Sequence, residues 1–145
     1  MDFMATLQIH KIILLKMKPI ISKSDYNAIK LFIANCPYHL RSKEMNDLKT
    51  ELDRANIVDN HKVADDIIQL NSIFTAKELN IQKTWTFTLV LPQRANIKEQ
   101  KISVLSPLGI AMIGFKQGTI INWALPGGVK KIEILNVKKP ETHQS

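Results

Sequence analysis

One stretch of the sequence, residues 101–137, constrains the fold more than any other. Ile102 and Val104 alternate with polar neighbours, which is typical of one face of a short strand. Ser106 suits a helix cap, and Pro107 suits the first helical position because proline lacks only an N–H that would be unpaired there. The stretch therefore predicts a strand that leads into a capped helix.

A β-hairpin is predicted to follow that helix. Gly114 favours a left-handed stop at the end of the helix. Apolar residues alternate over 121–125 and again over 132–134, and a Pro-Gly-Gly turn at 126–128 separates the two segments. The order of strand, short helix and hairpin indicates an α+β fold.

Two helices are predicted earlier in the chain. Ser24 is the expected cap of a helix that ends near Asn35, and Ser42 is the expected cap of a second helix that ends near Asn56. Apolar residues recur at helical spacing in both segments. Because the connecting loop at 36–41 is short, the sequence predicts an antiparallel helical hairpin.

Strands are predicted between the helices and residue 101. Residues 66–75 form one expected strand, and the alternation of Trp85, Phe87, Leu89 and Leu91 with threonines predicts a second, half-buried one. We interpret Trp85 and Trp123 as core residues, because both lie on alternating apolar faces. A tryptophan-lined ligand pocket is the alternative interpretation.

The charge and the cysteine content limit the classes of partner. The net charge is +7, with the excess at the two ends of the chain, but arginines and aromatics do not cluster as in a nucleic-acid site. The single cysteine, Cys36, cannot form an internal disulfide, which fits the reducing cytoplasm. The apolar run at 12–15 is too short to span a bilayer, which needs about 20 residues. We therefore expect a cytoplasmic protein with no membrane partner.

No metal, cofactor or catalytic residue is predicted. Cys36 and His39 offer two zinc ligands, with His61 as a distant third, whereas zinc sites use three or four close ones. The glycines lack the Gly-Lys-Ser/Thr ending of a phosphate-binding loop. No serine stands in the sharp turn of a hydrolase nucleophile.

Several linked motifs carry a resemblance to a known family. Residues 102–109 (Ile-Ser-Val-Leu-Ser-Pro-Leu-Gly), 111–114 (Ala-Met-Ile-Gly) and 126–129 (Pro-Gly-Gly-Val), followed by Glu-Ile-Leu at 133–135, resemble the C-terminal domain of the bacterial Gre transcript-cleavage factors. They equally resemble the related Rnk regulators of nucleoside diphosphate kinase. Residues 51–55 (Glu-Leu-Asp-Arg-Ala) favour Rnk. The resemblance implies an FKBP-like fold with an antiparallel sheet and one short helix.

The predicted organisation has four parts: residues 1–16, a short helical hairpin at 17–62, the Gre-type FKBP-like domain at 63–138 and a flexible tail at 139–145. Residues 1–16 fit nothing that follows. We interpret them as an extension upstream of the family-like part, with a strand that pairs elsewhere as the alternative.

The resemblance implies a function in transcription. The cleavage factors carry a long coiled coil that enters the secondary channel of RNA polymerase and delivers acidic residues to the catalytic magnesium ion. The helices predicted here reach only about 18–23 Å, and the loop at 36–41 contains no Asp or Glu. We therefore expect a non-enzymatic regulator that binds bacterial RNA polymerase near the channel rim and competes with the cleavage factors.

The resemblance also implies a partner-binding surface, which comprises the helix start and the hairpin turn: Ser106, Pro107, Leu108, Gly109, Pro126, Gly127 and Gly128. Two other classes of function stay open at this point. One is an FKBP-like prolyl isomerase or chaperone, and the other is a protein with weak nucleic-acid contact, including DNA binding.

Overall fold

The computed structural model describes residues 17–125 and 127–139. In that part of the chain the α-helices are α1 (Lys23–Ala34), α2 (Lys43–Arg54) and α3 (Pro107–Met112). The strands are β1 (Ile20–Ser22), β2 (Asn56–Val58), β3 (Ile73–Glu78), β4 (Lys83–Val90), β5 (Lys101–Ser103), β6 (Ile120–Leu125) and β7 (Gly128–Lys138). The predicted α+β class is confirmed. Residues 1–16 and the predicted tail beyond residue 139 lie outside the described part.

Five of the described strands form the main sheet, in the order β5-β4-β3-β7-β6. Strands β4, β3, β7 and β6 pair antiparallel, as predicted. Strand β5 instead runs parallel to β4, so the expectation of a wholly antiparallel sheet is wrong at this edge. The reason is the connection: residues 91–100 contain two 3₁₀ turns in place of a tight hairpin, and they carry the chain back to enter β5 in the same direction as β4.

The core lies between the main sheet and the helices. Phe74 on β3 and Ile132 on β7 are fully buried, as is Met112 on α3. The same cluster of buried residues includes Ile29 of α1 and Leu48 of α2, so the two long helices share one core with the sheet. The helical stripes predicted from apolar spacing are therefore confirmed by burial.

The ends of the long helices differ in how well the sequence predicted them. The Oγ of Ser42 accepts the N–H of Met45 at 3.2 Å, so the predicted cap of α2 is confirmed. The cap of α1 is Ser22, whose Oγ accepts the N–H of Asp25, and the prediction of Ser24 is wrong. The helix begins earlier because Ser22 ends β1, and its extended backbone is the conformation that a cap requires.

Two other strand predictions need correction. Residues 66–72 precede the strand instead of belonging to it, and Asn71 has a φ of 73° that interrupts any extended run. The short parallel pair of β1 and β2, which flanks the long helices, was not predicted. Three residues are too few for an alternation of apolar and polar positions to be recognised.

Neither tryptophan is a core residue in the sense predicted. Trp85 is half-buried near the start of β4, and the buried residues of that strand are Leu89 and Val90 at its other end. The start of β4 therefore extends beyond the core. Trp123 is also half-buried and packs against the edge of the core.

No helix in the ranges 17–125 and 127–139 is long and apolar enough to cross a membrane.

Candidate partner-binding site

The first half of the predicted partner-binding surface is the start of α3. The Oγ of Ser106 accepts the N–H of Gly109 at 3.0 Å and donates to the carbonyl of Ser103 at 2.7 Å. Pro107 occupies the first helical position and is exposed. Both features confirm the capped helix start that the sequence predicted.

Two residues of this segment face inward. Gly109 is buried, and a Cβ atom at this position would lie 2.4 Å from the carbonyl oxygen of Ser103. Leu108 is half-buried and packs against the core. Gly109 therefore serves the packing of α3 on β5. Of the four residues predicted here, Pro107 offers the most accessible surface.

The second half of the predicted surface is the turn between β6 and β7. Pro126 lies outside the described residues. Gly127 is exposed, and Gly128 has a φ of +132°, which favours glycine. No described atom lies within 4 Å of a Cβ built on either glycine, so this turn is open to solvent. Gly128 is needed for its backbone conformation and not for close packing.

One groove connects the helix start with the strand that leads to the turn. It has a volume of about 500 Å³, and its lining includes Pro107 and Ile110 from α3 and Trp123 from β6. The turn begins three residues beyond Trp123, roughly 10 Å farther at the usual rise of a strand. The structure thus places Pro107 on the groove. A Cβ atom built on Gly127 or Gly128 would have no atom of α3 within 4 Å.

The other side of the groove is the polar face of α2. Its charged residues are Lys43, Glu44, Asp47, Glu51 and Arg54. The guanidinium of Arg54 lies 2.7 Å from the Glu51 carboxylate, and its Nη2 donates to the carbonyl of Met17 at 2.9 Å. This groove was not predicted, because its walls come from segments that lie about 50–80 residues apart along the chain and that no motif links.

A half-buried carboxylate joins α1 to the segment before β3. The Oδ2 of Asp25 accepts the N–H of Leu70 at 3.0 Å. Burial raises the pKa of Asp25, since an ionised carboxylate loses water there, while the hydrogen bond from Leu70 opposes the rise. Asp25 does not line the groove.

Candidate metal ligands do not gather in the described part of the chain. No group of three or more His, Cys, Asp and Glu side chains in these ranges is arranged to hold a metal ion. Cys36 is half-buried, and its Sγ lies 3.7 Å from the carbonyl of Pro37.

Known proteins resemble this chain in both sequence and structure. Transcription elongation factor GreA of Rhodopseudomonas palustris (strain TIE-1) is 32% identical over 111 residues, which cover 72% of this chain and 70% of that protein. The regulator of nucleoside diphosphate kinase of Escherichia coli (strain K12) is 33% identical over 96 residues, covering 65% and 71%. The solved structure of a prokaryotic transcription elongation factor GreA/GreB from Nitrosomonas europaea superposes with a TM-score of 0.67 at 29% identity, covering 84% of this chain and 98% of that one.

A family model described as transcription elongation factor, GreA/GreB, C-term matches residues 63–139. That range contains β3 to β7 and α3. It also contains all the motifs over 102–135 on which the resemblance was based, so that resemblance is confirmed. This chain belongs to the GreA/GreB family of transcription elongation factors.

Proposed function

We propose that this protein is a non-enzymatic transcription regulator that binds bacterial RNA polymerase near the secondary channel and competes there with Gre cleavage factors. Membership of the GreA/GreB family supports an action on transcription. A relative named as a regulator of nucleoside diphosphate kinase supports a regulatory role. The observation that carries the proposal is the size and charge of the helical part.

The helices α1 and α2 are too short to reach a distant catalytic centre. Each contains 12 residues, which corresponds to about 18 Å. In the cleavage factors that this chain resembles, a much longer coiled coil carries acidic residues to the catalytic magnesium ion. A carboxylate must come within bonding distance of the metal or of its bound water to assist there. Helices of this length do not provide that reach.

The loop between the helices also lacks the required chemistry. Residues 35–42 contain no Asp or Glu, and they include the basic residue Arg41. The nearest acid along the chain, Glu44, lies in the first turn of α2, where a negative charge stabilises a helix start. The acids of this region are therefore explained by helix stability, and cleavage support is not expected.

The finer description of the architecture belongs to the same proposal. We infer that residues 17–62 form an antiparallel helical hairpin and that residues 63–138 form an FKBP-like domain. The core shared by α1, α2 and the sheet supports one compact arrangement of the two parts. The polymerase contact is proposed on the accessible residues of the predicted surface, above all Pro107 and Gly127.

Binding to polymerase tests the proposal directly. Purified core RNA polymerase and this protein should co-elute from a sizing column, and added GreA should displace the protein. In backtracked transcription complexes the protein should leave the RNA 3′ ends intact. Failure to co-elute, or cleavage above the intrinsic rate of the polymerase, would contradict the proposal.

The contact surface is tested by one substitution and a matched control. Pro107→Glu places a charge on the exposed helix start, where an acid is compatible with folding. Ile81→Glu places the same charge on a residue that is 60% exposed and lies in the turn between β3 and β4. Polymerase binding should weaken at least about tenfold with Pro107→Glu and stay unchanged with Ile81→Glu. Equal effects of the two substitutions would indicate that the polymerase contact lies elsewhere on the protein. Leu108→Glu is unsuitable, because Leu108 packs against the core.

A further inference from the structure

Within residues 17–125 and 127–139, strand β6 has one edge that pairs with no other strand. It is the last strand of the main sheet, and β7 is its only neighbour among the described strands. In an edge strand, alternate residues carry backbone N–H and C=O groups that point away from the sheet without a strand partner. Such an edge can accept another extended segment through main-chain hydrogen bonds.

The groove described above runs along this free edge. Ile121, Asn122 and Trp123 are consecutive, and all three line it. Successive side chains of a strand point to opposite faces of the sheet. A groove that is lined by three consecutive residues of one strand is the arrangement expected where the groove follows the edge of that strand. The edge is thus accessible from a cavity that already has walls.

The walls define what such a segment should carry. The α3 side is apolar and includes Ile110, Ala111 and Phe115. The α2 side carries three carboxylates, of Glu44, Asp47 and Glu51, against the two cations of Lys43 and Arg54, which leaves an excess of one negative charge. Neither Glu44 nor Asp47 forms an ion pair with a cation of the described residues. An added strand would turn every second side chain into the groove. Apolar and basic side chains, alternating among those inward positions, match these walls.

We propose that the groove binds an extended segment of another protein, which pairs with β6 as an added strand and carries alternating apolar and basic side chains on its inward face. Backbone pairing provides affinity, while the α3 and α2 walls provide specificity. The volume of about 500 Å³ lies within the range of about 300–1,000 Å³ that is usual for ligand sites. The inference does not depend on polymerase binding, so either can fail alone.

The test uses the full chain and a short peptide whose inward positions alternate isoleucine and lysine. Trp123 lines the groove, so its fluorescence, in a Trp85→Phe background, reports binding. The peptide should bind saturably. A peptide N-methylated on alternate backbone amides should lose at least about tenfold in affinity, because it cannot pair with a strand edge. Absence of binding, or equal binding of both peptides, would overturn the proposal.

The acidic wall is tested by matched variants on one helix. Asp47→Asn removes a groove carboxylate, whereas Asp53→Asn removes an exposed carboxylate of α2 that does not line the groove. The first should weaken peptide binding by about threefold to tenfold and the second should not. Equal effects would refute the role of the wall. Tighter binding of a peptide with the sequence of residues 1–16 would assign the groove to this chain's own segment and overturn an external partner.

Discussion

The substitution Gly109→Ala should change the stability of the protein in two opposing ways, and the structure indicates which of them is larger. Within a helix, glycine is less favourable than alanine by about 1 kcal/mol, so Gly109→Ala should stabilise α3 if nothing else changed. The structure opposes this gain. A Cβ atom would lie 2.4 Å from the carbonyl oxygen of Ser103 and 3.1 Å from a methyl carbon of Leu89.

The clash should dominate, because its first partner is backbone. The Ser103 carbonyl already accepts hydrogen bonds from the Oγ of Ser106 at 2.7 Å and from its N–H at 2.9 Å. Moving α3 away from β5 would weaken both of these bonds. Overpacking of a buried site costs about 1–3 kcal/mol. Because the clash at 2.4 Å is with backbone, the cost should lie in the upper part of this range, about 2–3 kcal/mol. After subtraction of the helical gain, Gly109→Ala should lower the free energy of unfolding by about 1–2 kcal/mol.

Urea denaturation followed by tryptophan fluorescence measures this loss. With a slope of about 2 kcal/mol per molar urea, the middle of the usual range for small proteins, the midpoint should fall by roughly 0.5–1 M. Gly127→Ala is the matched control, since no described atom lies within 4 Å of a Cβ there and its φ is unremarkable for an L-residue. A Gly109→Ala protein as stable as the parent would refute the reasoning, and so would equal losses in both variants.

Three other perturbations have outcomes that the structure predicts. Ser42→Ala removes the oxygen that accepts the Met45 N–H, and it should cost about 1 kcal/mol of stability in the same urea assay. Phe74→Ala empties the centre of the core, and it should cost about 3–5 kcal/mol and broaden or abolish the transition. Asp25 has a folded pKa above its ordinary value of 3.8, so it adds most stability below that value, and this contribution is lost as pH rises through the folded pKa. Asp25→Asn should therefore flatten the fall in stability on going from about pH 4 to pH 7, as measured by urea midpoints at each pH.

The success of the sequence predictions depended on how local their causes are. The cap of α3 was predictable because Ser106, Pro107 and Gly109 lie within one helical turn, and the hydrogen bonds that fix it are made inside that turn. The left-handed stop at Gly114, with a φ of 84°, was predictable for the same reason. The family motifs lie in this segment as well.

Apart from the cap of α1 and the start of β3, the failures concern contacts between distant segments. The direction of β5 depends on the path of residues 91–100, which no alternation of apolar and polar residues reveals. The groove depends on how α2 approaches β6, and the polar face of α2 reads from the sequence as an ordinary solvated helix surface. The prediction that Trp123 is a core residue failed for a related reason. An alternating apolar position at a sheet edge can face a groove and still be half-exposed.

The exposed side of Trp123 makes a prolyl isomerase the function that most needs a test. Such an enzyme must surround a twisted proline with apolar and aromatic walls, because it favours the non-planar form of the amide. Trp123 and Phe115 supply two rings, but the facing wall carries Glu44, Asp47 and the Glu51–Arg54 ion pair. Charged groups on that wall favour a polar or basic ligand over a twisted apolar ring.

We therefore expect no acceleration of cis/trans exchange in a proline peptide. The uncatalysed reaction takes tens to hundreds of seconds at 25 °C, so even modest catalysis would be visible. Exchange is followed in a peptide with one X–Pro bond at increasing protein concentrations. A rate that rises with concentration and is lost in Trp123→Ala, while Trp85 fluorescence shows that the variant is folded, would make the groove a catalytic site. A rate that rises equally with the Trp123→Ala protein would point to catalysis elsewhere on the chain, and it too would contradict the expectation.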